Sequence, residues 1–180
     1  MAYQLELFDL PKEPFKTTAD ELKVAILKKY IYEKKYDVAA TEVHYCDIII
    51  SNLSGNPIIE IETKISFNDF LADFDKEKHK KYLRSEGLVP DYYFFGIPSY
   101  LEKQVVSFLK ESSFYYYGVL VVDEFGAVTT VKKAKRLPSN NKSRGSFKDF
   151  LIKRATRQLL NFYEEKNKLK IFSDVELFRI

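Results

Sequence analysis

A chain of 180 residues, 46% hydrophobic and 31% charged, carries enough apolar material for one core and too little length for two ordinary domains. A net charge of +3 excludes a polycation that holds nucleic acid by bulk charge alone, and no apolar run reaches the length of a membrane span. Cys46 is the only cysteine, which excludes an intrachain disulfide and a thiolate zinc site; with no apolar leader at the start, the expectation is a reducing, cytoplasmic setting.

Residues 1–15 read as an extended tail, followed by a single domain over 16–180. Within the tail, Gln4-Leu5-Glu6-Leu7-Phe8 is similar to the pentapeptide, usually Gln-Leu-(Ser/Asp)-Leu-Phe, by which bacterial DNA polymerases and repair proteins dock on the sliding clamp. The resemblance implies that Leu7 and Phe8 enter apolar pockets while Gln4 bonds at the rim. The alternative is an edge strand that packs its own leucine and phenylalanine.

Thr18-Ala-Asp-Glu21 has the form of a capping box, opening a helix that runs to about Lys35 with Leu22, Ala25, Ile26 and Tyr30 near helical spacing. A strand over Val38–Tyr45 leads into a hairpin, Asp47–Ser51 and Ile58–Ile65, joined through the turn residues Asn52–Pro57. Period-two alternation puts Ile59, Ile61, Thr63 and Ile65 on one face of the second strand and Glu60, Glu62 and Lys64 on the other. Pairing that brings Asp47 beside this row makes an acidic pocket with one lysine. Hard divalent ions such as Mg²⁺ take carboxylate oxygens, and a lysine beside one can orient water or offset charge on a phosphate. The competing reading is an amphipathic strand whose charged face meets solvent. Cys46, among apolar strand residues, reads as a small core side chain, and His44 as structural.

Ser66 opens the next helix with Asp69 as capping partner; Phe67, Phe70, Leu71 and Phe74 form a core-facing stripe. Lys76, Lys78, His79, Lys80, Lys81, Tyr82 and Arg84 crowd its last turns, where cations suit the negative helix end or a phosphate backbone. Asp91–Pro98 reads as a buried strand, followed by a helix near Tyr100–Glu111, a strand over Tyr115–Asp123, a turn at Glu124–Gly126 and a strand over Val128–Lys133. Between Phe125 and Lys148 there is no acid, while Lys132, Lys133, Lys135, Arg136, Lys142, Arg144 and Lys148 all fall there: a strip suited to phosphates, or a solvated basic hairpin. Pro138–Gly145 reads as a loop. A helix over Phe147–Lys166 turns Phe150, Leu151, Ala155, Leu159, Phe162 and Tyr163 inward and Lys153, Arg154 and Arg157 outward, and Leu169–Ile180 adds a last strand.

This order, with Asp47 on the second strand and Glu62-Thr-Lys64 on the third, resembles the core of the PD-(D/E)xK nuclease superfamily. Glu62–Asp73, then Lys78-His79 and Tyr82, then Tyr93–Pro98, are similar to the MmcB-like DNA-repair proteins within it, over roughly Thr18–Pro98. The resemblance implies an α/β fold with a restriction-endonuclease-like α-β-β-β-α-β core, a central mixed sheet flanked by helices, and a C-terminal hairpin and helix. It implies Asp47 and Glu62 as ligands of Mg²⁺ or Mn²⁺ and Lys64 as the catalytic lysine, with Glu21, Glu60 and His79 as possible additions and Asp69 and Asp73 within the downstream pattern. Cys46 stands where the superfamily's name has proline. The activity implied is hydrolysis of DNA phosphodiester bonds in repair, replication or recombination, with Lys78, Lys132, Lys133, Lys135, Arg136, Lys142 and Arg144 on the nucleic acid. The alternatives are a non-catalytic DNA-binding adaptor recruited to the clamp through Gln4, Leu5, Leu7 and Phe8, and an RNA substrate.

Overall fold

The computed structural model describes residues 17–43, 46–53, 57–87, 89–138 and 144–167. Helix α1, Ala19–Lys28, starts at the expected box: Glu21 N–H donates to Thr18 Oγ1 at 3.2 Å, and Thr18 N–H donates to Glu21 Oε2 at 2.8 Å. It runs on through a π-helical turn, Lys29–Glu33. Three strands follow, β1 (Val38–Val43), β2 (Cys46–Ser51) and β3 (Ile58–Thr63), then α2 (Phe67–Asp73), α3 (Glu77–Leu83) and β4 (Tyr92–Pro98). A 3₁₀ turn leads into α4 (Glu102–Glu111), and β5 (Gly118–Val122), β6 (Val128–Lys132) and α5 (Arg144–Asn167) complete the described chain.

The strands form one mixed sheet in sequence order, β1 to β6; β2 is antiparallel to both its neighbours, β3, β4 and β5 run parallel, and β6 turns back. The parallel steps are those whose connections contain helices, as parallel strands require a crossover. The two faces bury different sets. Leu22 and Ile26 of α1 and Tyr30 of the π-helical turn cover Ile48, Ile50, Ile59 and Ile61 on one face. Phe70, Tyr82, Val105 and Leu109 cover Tyr93, Phe95, Val119 and Val121 on the other. Ile49 is registered against Glu60, which places the Ile49–Ile58–Leu151 cluster under α5 on the same face as α2, α3 and α4. Helices thus flank the sheet on both sides, and on one side α5 and α3 leave the middle of β1–β3 between them.

Several expectations are corrected. The helix opening at Ser66 is two helices, because Lys76 is extended (φ −65°, ψ 134°) between α2 and α3. Leu71 is exposed, so the phenylalanines alone make the stripe. Strand β5 begins at Gly118, after a turn through Phe114–Tyr116. On α5 Phe147 and Leu151 are buried and Ala155 half-buried; Phe150, Leu159, Phe162 and Tyr163 are exposed. The helix of 24 residues is about 36 Å long, whereas the six residues of β1 beneath it extend about 20 Å. The sheet runs out under the second half. His44, Ser54–Asn56 of the hairpin turn and Leu169–Ile180 lie outside the described residues.

Candidate functional site

Strand β3 carries the charged row, and it is not a solvent face: Glu60, Glu62 and Lys64 are 4%, 3% and 6% exposed. Alternation points them under α2 and α3, and those helices bring countercharges. Glu62 Oε1 accepts from Lys64 Nζ at 3.2 Å and Lys76 Nζ at 2.5 Å, and Oε2 from Lys78 Nζ at 2.8 Å. Glu60 accepts from Lys78 at 3.1 Å and from the Tyr82 hydroxyl at 2.6 Å. From the end of α2, Asp73 Oδ1 meets Lys64 Nζ at 2.9 Å and also pairs with Lys76. Three acids and three lysines interleave, so buried charge is compensated within one network.

His79 lies below this layer, fully buried. Its Nε2 donates to Asp73 Oδ2 at 2.8 Å, since a carboxylate only accepts, and Nδ1 meets the Tyr117 hydroxyl at 2.9 Å. The Tyr93 hydroxyl donates to the same Asp73 oxygen at 3.1 Å. The titration behaviour divides accordingly. Desolvation pushes Glu60 up, against the pull of Lys78 and the Tyr82 hydroxyl. Desolvation also acts on Asp73, but hydrogen bonds from His79, Lys76 and Lys64 outweigh it and hold that carboxyl well below the usual range. Lys78 is raised: desolvation opposes its charge, and Glu60 and Glu62 prevail.

Asp47 lies at the same end of the sheet. The β2–β3 register, Ile48 to Ile61, sets it opposite Glu62 when continued by one residue. Its Oδ2 accepts from Thr63 N–H at 2.7 Å and Thr63 Oγ1 at 2.5 Å, so a side chain takes over where the ladder between the strands ends. Among the described residues Asp47 makes no ion pair, and its contact is with Thr63 rather than with Glu62 or Lys64. The structure therefore joins Glu62 to Lys64 and sets Asp47 beside them. Glu62 converges with Asp73 instead, on the shared Lys64 and Lys76 ammoniums. The sequence offers Lys76 as a helix-end or phosphate-contacting cation; its role here depends on the α2–α3 break, which has no proline or glycine to announce it.

The other candidates are distributed more widely. Glu21 caps α1. Cys46 is buried, its thiol donating to Val43 O at 3.0 Å and held up by desolvation, consistent with a core role. Lys78 belongs to the buried network. In the basic strip, Lys132 donates to the Tyr115 and Tyr117 carbonyls, and desolvation lowers its pKa. Lys135 lies over the Tyr115 ring, and Arg136 pairs with buried Asp91 at 2.9 Å. Lys133 is exposed. Arg144 is the first residue of α5, with its side chain outside the description; Lys142 and the motif residues Gln4, Leu5, Leu7 and Phe8 also lie outside it.

The oxygens of Glu62, Asp73 and Asp47 are hard donors of the kind Mg²⁺ takes, and Mg²⁺ retains waters rather than requiring an all-protein cage. Their present partners are ammoniums, Thr63, His79 and the Tyr93 hydroxyl, and among the described residues no three Asp, Glu, His or Cys side chains surround a common point. The donor set fits a divalent ion in kind, and of the three lysines on it Lys76, 41% exposed at its side chain, is the one nearest solvent, while Lys64 and Lys78 are buried.

No family model matches the chain, and no curated protein matches it. Among solved structures, it is similar to the SPO1766 protein of unknown function from Silicibacter pomeroyi, at 15% identity and a TM-score of 0.58, over 92% of this chain and 99% of that one. At that identity the likeness concerns the fold alone.

Proposed function

We propose that the protein is a metal-dependent nuclease hydrolysing DNA phosphodiester bonds, built on a restriction-endonuclease-like core. What supports the reading is the convergence of Glu62 Oε1 and Asp73 Oδ1 on Lys64 and Lys76, with Asp47 opposite Glu62 at the same sheet end. The strand order supports the core assignment: a helix, three antiparallel-paired strands, helices, and a fourth strand parallel to the third. In this reading Glu62 and Asp47 hold Mg²⁺ or Mn²⁺, which supplies Lewis acidity toward the phosphate. Lys64, fixed between Glu62 and Asp73, presents an ammonium where negative charge develops on the phosphate. His79, itself held by the Tyr117 hydroxyl, and Tyr93 fix Asp73 and so position Lys64.

The test is cleavage of linear, circular, branched and single-stranded DNA with Mg²⁺ or Mn²⁺, beside Glu62→Gln and Lys64→Ala. The reading expects turnover in the wild-type chain and its loss in both variants; activity that survives both removes the mechanism.

One observation favours a second reading, a DNA-binding protein that keeps the architecture without turnover: every acid of the β3 row is already neutralised by a lysine. It expects salt-sensitive DNA binding with no cleavage in any metal. Recruitment through Gln4–Phe8 would add clamp binding that is lost in Leu7→Ala/Phe8→Ala.

A further inference from the structure

The β3 network is close to neutral, and Lys132 and Arg136 of the basic strip are committed to internal partners. A polyanion needs cations with no such commitments, and α5 has them. Lys153, Arg154 and Arg157 line a cleft of about 310 Å³ with Phe150, Glu42 and Val43. Lys153 and Arg157 are exposed and make no hydrogen bond or ion pair among the described residues. Arg154 Nη2 donates to the Glu42 carbonyl at 3.2 Å, and its buried Nε has no acceptor among the described residues. The acid in the cleft wall is spoken for, because the Glu42 carboxylate pairs with Lys23 of α1 at 2.5 Å. Glu42 has φ +50° and no ladder partner in β1, an irregularity that re-aims the strand end. The cleft therefore holds an excess of positive charge.

Its position connects it to the β3 row. Val43 also lines a second cavity of about 550 Å³, whose floor is Cys46, Ile49 and Glu60 and whose far wall is Lys78, Lys81 and Tyr82 of α3. The two cavities share Val43 in their walls and lie on the side of the sheet that α5 and α3 cover. Strands lie about 4.8 Å apart, so β1 under the α5 cations is about 10 Å from β3. That is about three nucleotide steps at roughly 3.4 Å each.

We infer that Lys153, Arg154 and Arg157 form a phosphate subsite that holds the DNA backbone and leads the strand between α5 and α3 to Glu62 and Lys64. This rests on the nuclease reading for the destination of the strand, but the subsite itself is a binding claim. Phosphate contacts position a strand and add salt dependence without reading sequence.

The test is fluorescence anisotropy of labelled DNA with the full chain in EDTA, across a salt series, for wild type, Lys153→Ala/Arg157→Ala, and Lys28→Ala as a control, an exposed cation of α1 on the opposite face of the sheet. Each lost duplex phosphate contact lowers the slope of log K against log salt by about 0.9, so the double variant should lose about 1.8 and bind on the order of tenfold more weakly at low salt. Lys28→Ala should change neither. Both substituted α5 residues are exposed, and an unchanged circular dichroism spectrum and melting curve separate lost contacts from lost folding. If the double variant binds as wild type does while wild type still cleaves, the subsite is wrong and the nuclease reading stands. An equal effect from Lys28→Ala makes the binding diffuse charge and overturns the subsite. Wild type that binds anionic phospholipid vesicles but no DNA overturns both.

Discussion

Replacing Asp73 by asparagine isolates the node of the buried network. All four partners of Asp73 are donors: Lys64 and Lys76 at Oδ1, and His79 Nε2 and the Tyr93 hydroxyl at Oδ2. An amide of the same shape offers one oxygen and one NH₂, so either orientation sets donors against donors. Lys64 keeps Glu62 at 3.2 Å and the exposed Asp69 at 3.9 Å but loses its nearest carboxylate, at 2.9 Å, while 6% exposed. Breaking a buried pair by removing one partner costs about 3–5 kcal/mol; the share from Lys76 is smaller because its ammonium is partly solvated. For a chain of this length each 1 kcal/mol lowers Tm by about 2–4 °C, giving a fall of about 6–20 °C. Urea unfolding followed by circular dichroism at pH 7 measures the loss directly. In a double-mutant cycle with Lys64→Met, the combined loss should fall short of the sum by at least about 1 kcal/mol. A single-variant loss below about 1 kcal/mol, or strict additivity, would show that the network does not hold the α2 end onto β3 as described.

The same carboxylate sets an acid limb. Its folded pKa lies below the unfolded one of about 3.9, so its contribution is fully present above that pH and disappears as pH falls through the folded value. Asp73→Asn should flatten stability against pH below about 4, whereas Glu60, raised by burial, contributes in the opposite sense; unchanged limbs in chemical denaturation would refute this. Gly118→Ala should cost about 1–3 kcal/mol by overpacking, because a Cβ there would lie 2.3 Å from the Phe94 ring and 2.8 Å from Ala134 N; a neutral substitution in thermal melts would contradict that close approach. Gln158→Ala removes the bonds to Thr41 N–H (3.2 Å) and Thr41 O (2.7 Å), with an expected loss of about 1–2 kcal/mol and faster amide exchange at Thr41. Lys76→Ala should tighten Mn²⁺ binding about fivefold, equivalent to about 1 kcal/mol of a partly exposed ion pair. Calorimetry showing no tightening would mean that Lys76 does not stand in the ion's place.

Local chemistry was legible where it was self-contained. The Thr18–Glu21 box, the β2–β3 hairpin and the alternation of Glu60, Glu62 and Lys64 against Ile59 and Ile61 are all present. The fate of the charged face was not, because alternation separates two faces without saying what covers either. Lys76 and Lys78 reach Glu62 from 14 and 16 residues away, and only the docking of α3 brings them there. Helical spacing failed on α5 for a related reason: it identifies an apolar stripe, and a stripe longer than its strand stays uncovered at Leu159 and Phe162. The strip after Phe125 was correct as composition, yet Lys132 and Arg136 spend their charge on main-chain carbonyls and on Asp91.

The amide of Gln158 imitates a neighbouring strand: it offers the outer rim of β1 one acceptor and one donor at Thr41, and α5 lies alongside. At the opposite rim, Thr129 and Thr130 of β6 are exposed. Among the described residues, a second chain seeking main-chain pairing at the first strand meets a rim already bonded at Thr41.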